Sequence, residues 1–290
     1  NENTPEDYHG LDRYEARKKV VAAFKSLGLL EKIEDYVNKV GHSERTDAVV
    51  EPYMSKQWFV KMEELAKPAM KAVNDGQVKF HPERWTKTYN HWLENIKDWC
   101  ISRQLWWGQR IPIFYCDDCN HEWAMLETSS CSKCESTNIR QDEDVLDTWF
   151  SSWLWPFATL GWPKNEKDVN QFYPTQDLVT GPDIIFFWVA RMIMAGLHFK
   201  DEIPFSNVYF TGLVRDEQGR KMSKSLGNSP DPLDLMATHG ADALRVGLLM
   251  IAPQGLDLLF SEGLIEQGRN FMNKLWNSAR FVQMNVGDEN

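Results

Sequence analysis

Apolar residues near the start of the chain recur at helical spacing. Between Leu11 and Leu27, Tyr14, Val20, Val21, Phe24 and Leu27 fall on one face and Arg13, Arg17 and Lys18 on the other, and Gly28 closes the pattern. A second helix is predicted over Lys56–Val73, capped by Ser55, with Pro68 expected to kink or end its early turns. A third, Pro82–Trp99, is aromatic-rich through Trp85, Tyr89, Trp92 and Trp99. Residues 113–142 break this rhythm, being polar, cysteine-bearing and too poor in apolar positions for a core of their own. Beyond them strand and helix alternate. Asp177–Thr180 reads as a short buried strand running into Gly181-Pro182, where proline at a first helical position starts the helix Asp183–Leu197. Asn207–Thr211 reads as a second strand, followed by a turn at Asp216–Gly219. Pro232 opens another helix, whose best-formed apolar part is Ala241–Ile251. From Ser261 onward a capped, purely helical pattern runs through Leu264, Phe271, Leu275, Trp276 and Phe281. Strand–helix alternation of this kind predicts a parallel α/β architecture.

Composition narrows the class. The 290 residues are 42% hydrophobic, enough to bury a core, and 42 acidic against 32 basic residues give a net charge of −10. That balance argues against a protein that coats nucleic acid non-specifically, while leaving room for a local basic patch. The most apolar run, Ile184–Leu197, is interrupted by Arg191 and falls short of the ~18 residues of a membrane span. No signal peptide opens the chain, and the polar start Asn1–Asp7 without Met is expected to mark an excerpt from something longer. Thirteen tryptophans are an excess that suits cores and pocket walls.

The five cysteines form two close pairs plus Cys100. Cys116-x-x-Cys119 and Cys131-x-x-Cys134 are two knuckles whose four thiolates complete the tetrahedron that zinc prefers, and four protein ligands make such a site structural. The metal would stand in for the core this segment lacks. Idle thiols, or one pair with His121 as a stray ligand, are the plainer alternative. Cys100 reads as a buried apolar residue.

Lys221-Met222-Ser223-Lys224-Ser225 follows a strand and a glycine-containing turn and precedes Gly227 and Asn228. Two ammonium groups and two hydroxyls on a mobile loop suit a polyphosphate, although on charge alone a solvated basic turn serves as well. The order of residue types is the signature loop of the class I aminoacyl-tRNA synthetases. Three further stretches, WCISRQLWWGQRIP at Trp99–Pro112, DVLDTWFSS at Asp144–Ser152 and TGPDIIFFW at Thr180–Trp188, stand in the order and at about the spacing found in valyl-tRNA synthetases. The stretch Ser55–Phe59 fits as well, so the chain resembles that family from about Leu11 to Phe281.

The resemblance implies roles. Lys221 and Lys224 would bind the ATP phosphates and stabilise the activation transition state, with Met222, Ser223 and Ser225 completing the ATP loop. Trp149 and Trp188 would wall a valine pocket, Ile184 beside them, and Asp183 would accept from the substrate ammonium. Ile184 and Trp188, at i and i+4, share a helix face, and a carboxylate in the first turn suits the helix dipole. On the residues alone, Asp183 as a cap and the tryptophans as core remain equally open. The implied fold is α/β, the second half of a class I Rossmann-type catalytic domain with a helical insertion stem, a small zinc module and the start of an all-α anticodon-binding domain. The expected divisions are 1–55 for the end of an editing or connective insertion, 56–112 for the stem and 113–142 for the zinc module. Residues 143–258 would be the catalytic half and 259–290 the first anticodon-domain helix. A His-x-Gly-His element, which the family needs for ATP, is not found in the 290 residues, so the chain alone is expected to be inactive.

The implied activity is valine–tRNA ligation: ATP with Mg2+ activates valine, and the valyl group passes to tRNA(Val). A structural Zn2+, a monomer, a cytoplasmic location and no membrane partner complete the expectation. An isoleucyl-type synthetase and a non-catalytic synthetase-like protein binding RNA or a partner are the alternatives. A zinc-ribbon nucleic-acid module is set aside because Asp117, Asp118, Glu122, Glu127 and Glu135 crowd the cysteines.

Overall fold

Asp12 opens the first helix. Its carboxylate accepts from the Tyr14 backbone N–H at 2.9 Å, and α1 runs over Arg13–Ser26. The structure, a computed structural model, describes residues 4–43, 46–52, 54–223, 226–252 and 256–286. It divides into two compact units, Asn1–Lys56 and Gln57–Asn290. In the first unit α1 buries none of its residues, contrary to the apolar face the pattern predicts. Tyr14 instead lies under the guanidinium groups of Arg13 and Arg17, at 5.0 and 5.6 Å.

The second unit begins with a short strand, β1 (Phe59–Val60), so α2 (Glu63–Asn74) starts at Glu63 rather than Lys56. α2 also runs through Pro68 instead of stopping there. Its buried face of Ala66, Ala69, Ala72 and Val73 offsets the backbone bond that proline cannot make. Next come β2 (Lys79–His81), α3 (Trp85–Glu94), β3 (Trp99–Cys100) and β4 (Ser102–Arg103). α3 ends short of Trp99 because that residue pairs antiparallel with β1. β5 (Ile113–Cys116), β6 (Glu122–Ala124) and β7 (Ile139–Gln141) form a small antiparallel sheet with β5 at its centre. β8 (Val145–Leu146) pairs antiparallel with β4 and leads into α4 (Thr148–Ser152), α5 (Trp155–Ala158) and α6 (Lys167–Phe172).

The main sheet is parallel, as the strand–helix alternation predicts, and holds β9 (Thr175–Thr180) and β10 (Phe205–Phe210). Its third strand is β2, paired on the other side of β10. The sheet therefore draws on the stretch expected to be a helical stem. β2 is invisible to pattern reading because only Phe80 of its three residues is buried.

The segment after β9 is helical from Pro182 but not uniformly α. A 3-10 turn, Pro182–Ile184, passes into a π-helix, Ile185–Ala190, and then into α7 (Arg191–Phe199). The run Pro182–Phe199 is 18 residues long and apolar enough by length and composition to cross a membrane, which corrects the shorter estimate, but half of it is buried inside the protein. Ile185, Val189, Met192, Ile193 and Met194 share one core with Phe80, Val208 and Phe210 of the sheet, so this is the core helix of the unit. Arg191 does not interrupt the burial. It is 5% exposed, with its guanidinium carbon 3.6 Å from the centre of the Trp99 ring.

β11 (Val214–Arg215), α8 (Pro232–His239), α9 (Ala241–Ile251), β12 (Leu258–Leu259) and α10 (Glu262–Asn285) complete the unit. Leu235, Ala243, Leu244, Phe260 and Ile265 form a second, smaller core. Ser261 stands at the N-cap of α10 without the side-chain capping bond expected of it. α10 crosses α9 at two glycines. A Cβ on Gly268 would stand 2.6 Å from the Gly247 nitrogen and closer still to the Ala243 carbonyl oxygen, so only hydrogen fits. Gly268→Ala is expected to lower stability by about 1–3 kcal/mol through overpacking. Gly263→Ala, where the nearest atom is Ser261 Oγ at 4.0 Å, is expected to leave it unchanged. Paired denaturant titrations of the two variants check both.

Candidate functional site

The carboxyl ends of β9 and β10 lie side by side, the position where open parallel sheets bind ligands. Thr211 N–H donates to the Thr180 carbonyl at 2.9 Å, holding the two strand exits together. Thr180 leads into Gly181, Pro182 and Asp183. Asp183 folds back over Gly181, so that a Cβ on Gly181 would meet Asp183 Oδ1 at 2.6 Å. β10 leads through Gly212 into β11 and the lysine loop. Lys221 Nζ reaches to 3.6 Å from Asp183 Oδ2, both side chains being largely exposed at 68% and 43%. The two charged residues singled out in separate motifs thus meet at one sheet edge. Lys224 and Ser225 lie outside the described residues.

The predicted pocket walls are also brought together. Trp149 on α4 stacks on Phe187 with ring centres 5.7 Å apart. The indole N–H of Trp188 donates to the Ser152 carbonyl at the end of α4, at 3.0 Å. Both tryptophans and Ile184 are half-buried. Ile184 closes the 3-10 turn and Trp188 lies in the π-helix, so a wider turn replaces the α-helical i, i+4 geometry assumed from sequence. α4 is held by Asp147, which is buried. Its Oδ1 caps the Trp149 N–H at 3.2 Å, and its Oδ2 accepts from Trp99 Nε1 at 2.9 Å and Arg103 Nη2 at 2.8 Å.

The lysine loop is fixed at its base by Asn228 and Asp216, which the sequence marks only as a flanking residue and the start of a turn. Asn228 Oδ1 accepts from the Ser223 N–H at 2.9 Å, while its Nδ2 donates to the Lys221 carbonyl at 3.3 Å and to Asp216 Oδ2 at 2.9 Å. Asp216 also takes the Arg220 N–H at 2.8 Å and Arg220 Nε at 2.7 Å. The Asn228 amide and these Arg220 contacts outweigh desolvation and hold the Asp216 carboxyl down to about 2. Met222 turns the other way and packs against the second core beside Leu235 and Phe260. Between the base of the loop and the start of α10 is a cavity of about 690 Å³ lined by Asp216, Arg220, Asn228 and Glu262. The signal in the sequence was local: an aspartate just before the turn and an asparagine just after Gly227.

Cys116, Cys119, Cys131 and Cys134 converge, with all four sulfurs within 4.8 Å of one another. The Sγ atoms of Cys116 and Cys134, and of Cys119 and Cys131, are 3.6 Å apart. A thiolate tetrahedron with metal–sulfur bonds of about 2.3 Å has edges near 3.8 Å, so the cluster could hold one metal ion. The two knuckles are closed by equivalent bonds. Asn120 and Glu135, both at positive φ, donate to the Cys116 and Cys131 carbonyls at 2.9 and 3.0 Å. The Cys116 and Cys131 N–H groups donate to the His121 and Ser136 carbonyls at 2.9 and 2.8 Å. His121 is outside the thiol group and stacks on Trp123. Cys100 lies apart, half-buried beside Gln57 and Ser102.

A family model described as tRNA synthetases class I (I, L, M and V) matches residues 13–261, and the chain belongs to that family. The valine–tRNA ligase of Chlorobaculum tepidum is 60% identical over 281 residues, covering 96% of this chain and 31% of the relative. Those of Bdellovibrio bacteriovorus and Carboxydothermus hydrogenoformans are each 59% identical, covering 97% and 99% of this chain. The chain thus spans 31–33% of the length of these curated relatives. The Mycobacterium tuberculosis methionyl-tRNA synthetase in complex with methionyl-adenylate shares the fold, with a TM-score of 0.63 at 22% identity over 86% of this chain and 45% of that one. The LeuRS–tRNA–LeuAMS ternary complex of Agrobacterium radiobacter K84 gives a TM-score of 0.56 at 23% identity, over 66% and 28%.

Losing one side-chain bond of the loop base costs about 1 kcal/mol, or about fivefold in local opening. Asn228→Ala, which removes three such bonds, is therefore expected to speed hydrogen exchange at residues 221–223 at least about fivefold without lowering global stability. Asp216 has a depressed folded-state pKa, so its contribution is complete above pH ~4, where it is charged both folded and unfolded, and fades as pH falls towards 2. Asp216→Asn is expected to show the faster exchange at every pH, and exchange profiles corrected for intrinsic rates check this. A variant loop as protected as the native one would remove the Asn228–Asp216 base from the picture.

Proposed function

We propose that this chain supplies the amino-acid pocket and the phosphate-binding loop of a valine–tRNA ligase and acts within a longer polypeptide. The observation that carries the reading is the meeting of Asp183 and Lys221 at the carboxyl ends of β9 and β10, beside the Trp149–Trp188 walls. Identity of 59–60% to valine–tRNA ligases supports the choice of amino acid over the isoleucyl alternative. In this reading Asp183 accepts from the valine ammonium, while Trp149, Trp188 and Ile184 enclose its branched side chain and exclude longer ones. The valine carboxylate attacks the α-phosphorus of ATP and pyrophosphate leaves, its charge met by Lys221, Lys224 and the Ser223 and Ser225 hydroxyls. Met222 anchors the loop. Mg2+ would neutralise the phosphates. A 3′-terminal hydroxyl of tRNA(Val) then takes the valyl group and AMP departs.

The remaining parts follow the same reading. Residues 1–55 would end an editing or connective insertion, and α10 would begin the helical domain that meets the anticodon. The four cysteines would hold a structural Zn2+ that substitutes for a hydrophobic core, in keeping with a reducing cytoplasm. The purified chain is expected to carry one zinc per molecule by elemental analysis. Cys131→Ser is expected to lose the metal and the order of residues 113–142. Metal-free native protein with that sheet intact would sink the zinc assignment.

The activity is tested by grafting these 290 residues into the Chlorobaculum tepidum valine–tRNA ligase in place of its matching segment. The chimaera is expected to catalyse valine-dependent ATP–pyrophosphate exchange. Lys221→Ala should lower kcat by about 10²–10³-fold, the cost of removing one group that stabilises transition-state charge. Asp183→Ala should raise KM for valine more than KM for ATP. A folded chimaera inactive with valine, or active with isoleucine instead, would refute the reading.

A further inference from the structure

Away from the lysine loop, a cavity of about 380 Å³ opens between α3, the β3 strand and the core helix. Its walls are aromatic. Trp99 and Phe186 lie inside, and Trp92, about half exposed, stacks on Phe186 with ring centres 5.0 Å apart at the mouth. The polar lining is mainly cationic, with Arg191, Arg103 and Lys97 against the single carboxylate of Asp98. Arg103 is already paired with Asp147 at 2.8 Å, and Asp98 Oδ1 accepts from the Met62 N–H at 3.3 Å. Lys97 stands exposed at the rim.

Arg191 is different. It is 95% buried by its 5% exposure, its Nε has no hydrogen-bond partner, and it makes no ion pair among the described residues. Among the described residues its one side-chain hydrogen bond is a long one of 3.4 Å from Nη1 to the Phe187 carbonyl. Its guanidinium otherwise lies over the Trp99 ring, with the Phe186 and Phe187 rings 5.4 and 5.7 Å away and the charge of Asp147 nearby but not in hydrogen-bond contact. A guanidinium cannot shed its proton to relieve this, and a buried unpaired donor costs about 1–3 kcal/mol, more when charged. Cavities of this size with aromatic walls and one convergent charge suit a small molecule or an inserted side chain. An oxygen anion is the natural complement, and apolar walls favour one carried on an apolar body over a hydrated phosphate.

We infer that this cavity is a carboxylate-binding site in which Arg191 takes the anion, with Trp92, Trp99 and Phe186 enclosing its apolar stem. The carboxylate is either a free small monocarboxylate or an acidic side chain from polypeptide beyond these 290 residues. Titrating benzoate into the chain labelled with 15N-arginine reads the site directly. The Nε–H signal of Arg191 is identified by its loss in Arg191→Lys or, should that variant not fold, by its Overhauser contact with Trp99. This signal is expected to shift saturably while the other arginine signals do not. Trp92→Ala alters only the half-exposed mouth and is expected to weaken binding about fivefold, and Arg191→Lys about tenfold or more. A chimaera with the Chlorobaculum tepidum flanks separates the sources. Benzoate binding kept there supports a free ligand, and binding lost there supports an internal acid. No saturable shift at Arg191 in the isolated chain, or the same shift in Trp92→Ala, overturns the inference.

Discussion

One buried carboxylate organises the ground on which the candidate site stands. Asp147 is 7% exposed, and a charge taken that far from water is tolerated only when donors surround it. Three do: the Trp99 indole, the Arg103 guanidinium and the backbone N–H of Trp149. Its own N–H donates to the Ile101 carbonyl at 2.7 Å. These bonds tie β3, β4 and the first turn of α4 into one frame, although Trp99 and Arg103 stand 48 and 44 positions before Asp147. Removing one partner from such a network typically costs 3–5 kcal/mol, because the remaining charges stay buried. An apolar residue at 147 would fill the space but would fix neither the direction of α4 nor, through the Ser152 carbonyl, the indole of Trp188.

The lysine loop follows a different principle. Its base is held twice, by the polar bonds of Asn228 and Asp216 on one side and by Met222 in the second core on the other. Among the described residues, the Lys221 ammonium meets Asp183 at 3.6 Å, a pair between two largely exposed groups. Exposed pairs of this kind contribute 0–1 kcal/mol, far less than the base. The base is therefore firmly anchored, while the Lys221 ammonium is only weakly paired. A lysine bound tightly to Asp183 would have to be torn away before it could meet a phosphate. This pair separates at almost no cost, which under the proposed function suits a loop that engages phosphates and then releases them.

What could be read from sequence was local. The two knuckles and the Lys-Met-Ser-Lys-Ser loop are short and self-contained, and β10 shows buried positions. β9 forms where a strand is expected but buries none of its residues, so the short buried strand read at Asp177–Thr180 is a strand without the burial. β2 was missed because a three-residue strand with one buried side chain has no period to detect, and it exists only because β10 is there to pair with. The start of α2 was misplaced because β1 forms only against β3. The π-turn at Ile185–Ala190 is likewise hidden, since an apolar run reads alike in either helix type. The roles of Asp183, Trp149 and Trp188 came from resemblance, not from pattern. On pattern alone Asp183 is a cap and the tryptophans are core, and the half-burial observed for both tryptophans is compatible with either until their neighbours are known.

Arg191 shows why a polar residue in an apolar run should be weighed by its partners before it is treated as an interruption. Leucine or methionine at this position would satisfy the core helix with no desolvation cost, and that cost is real: burial brings the guanidinium pKa down to about 10. A cation over an indole returns about 0.5–2 kcal/mol, the larger figure when both are dry. The charge of nearby Asp147 recovers more, but that carboxylate is already shared among three donors, and the like charge of Arg103 works against it. The balance within these residues does not close, and the open side of the imbalance is Nε, in a cavity whose other cations lie nearer the rim. A buried guanidinium donor without a protein partner, facing a cavity of molecular size, is the place where a bound acceptor would close the balance.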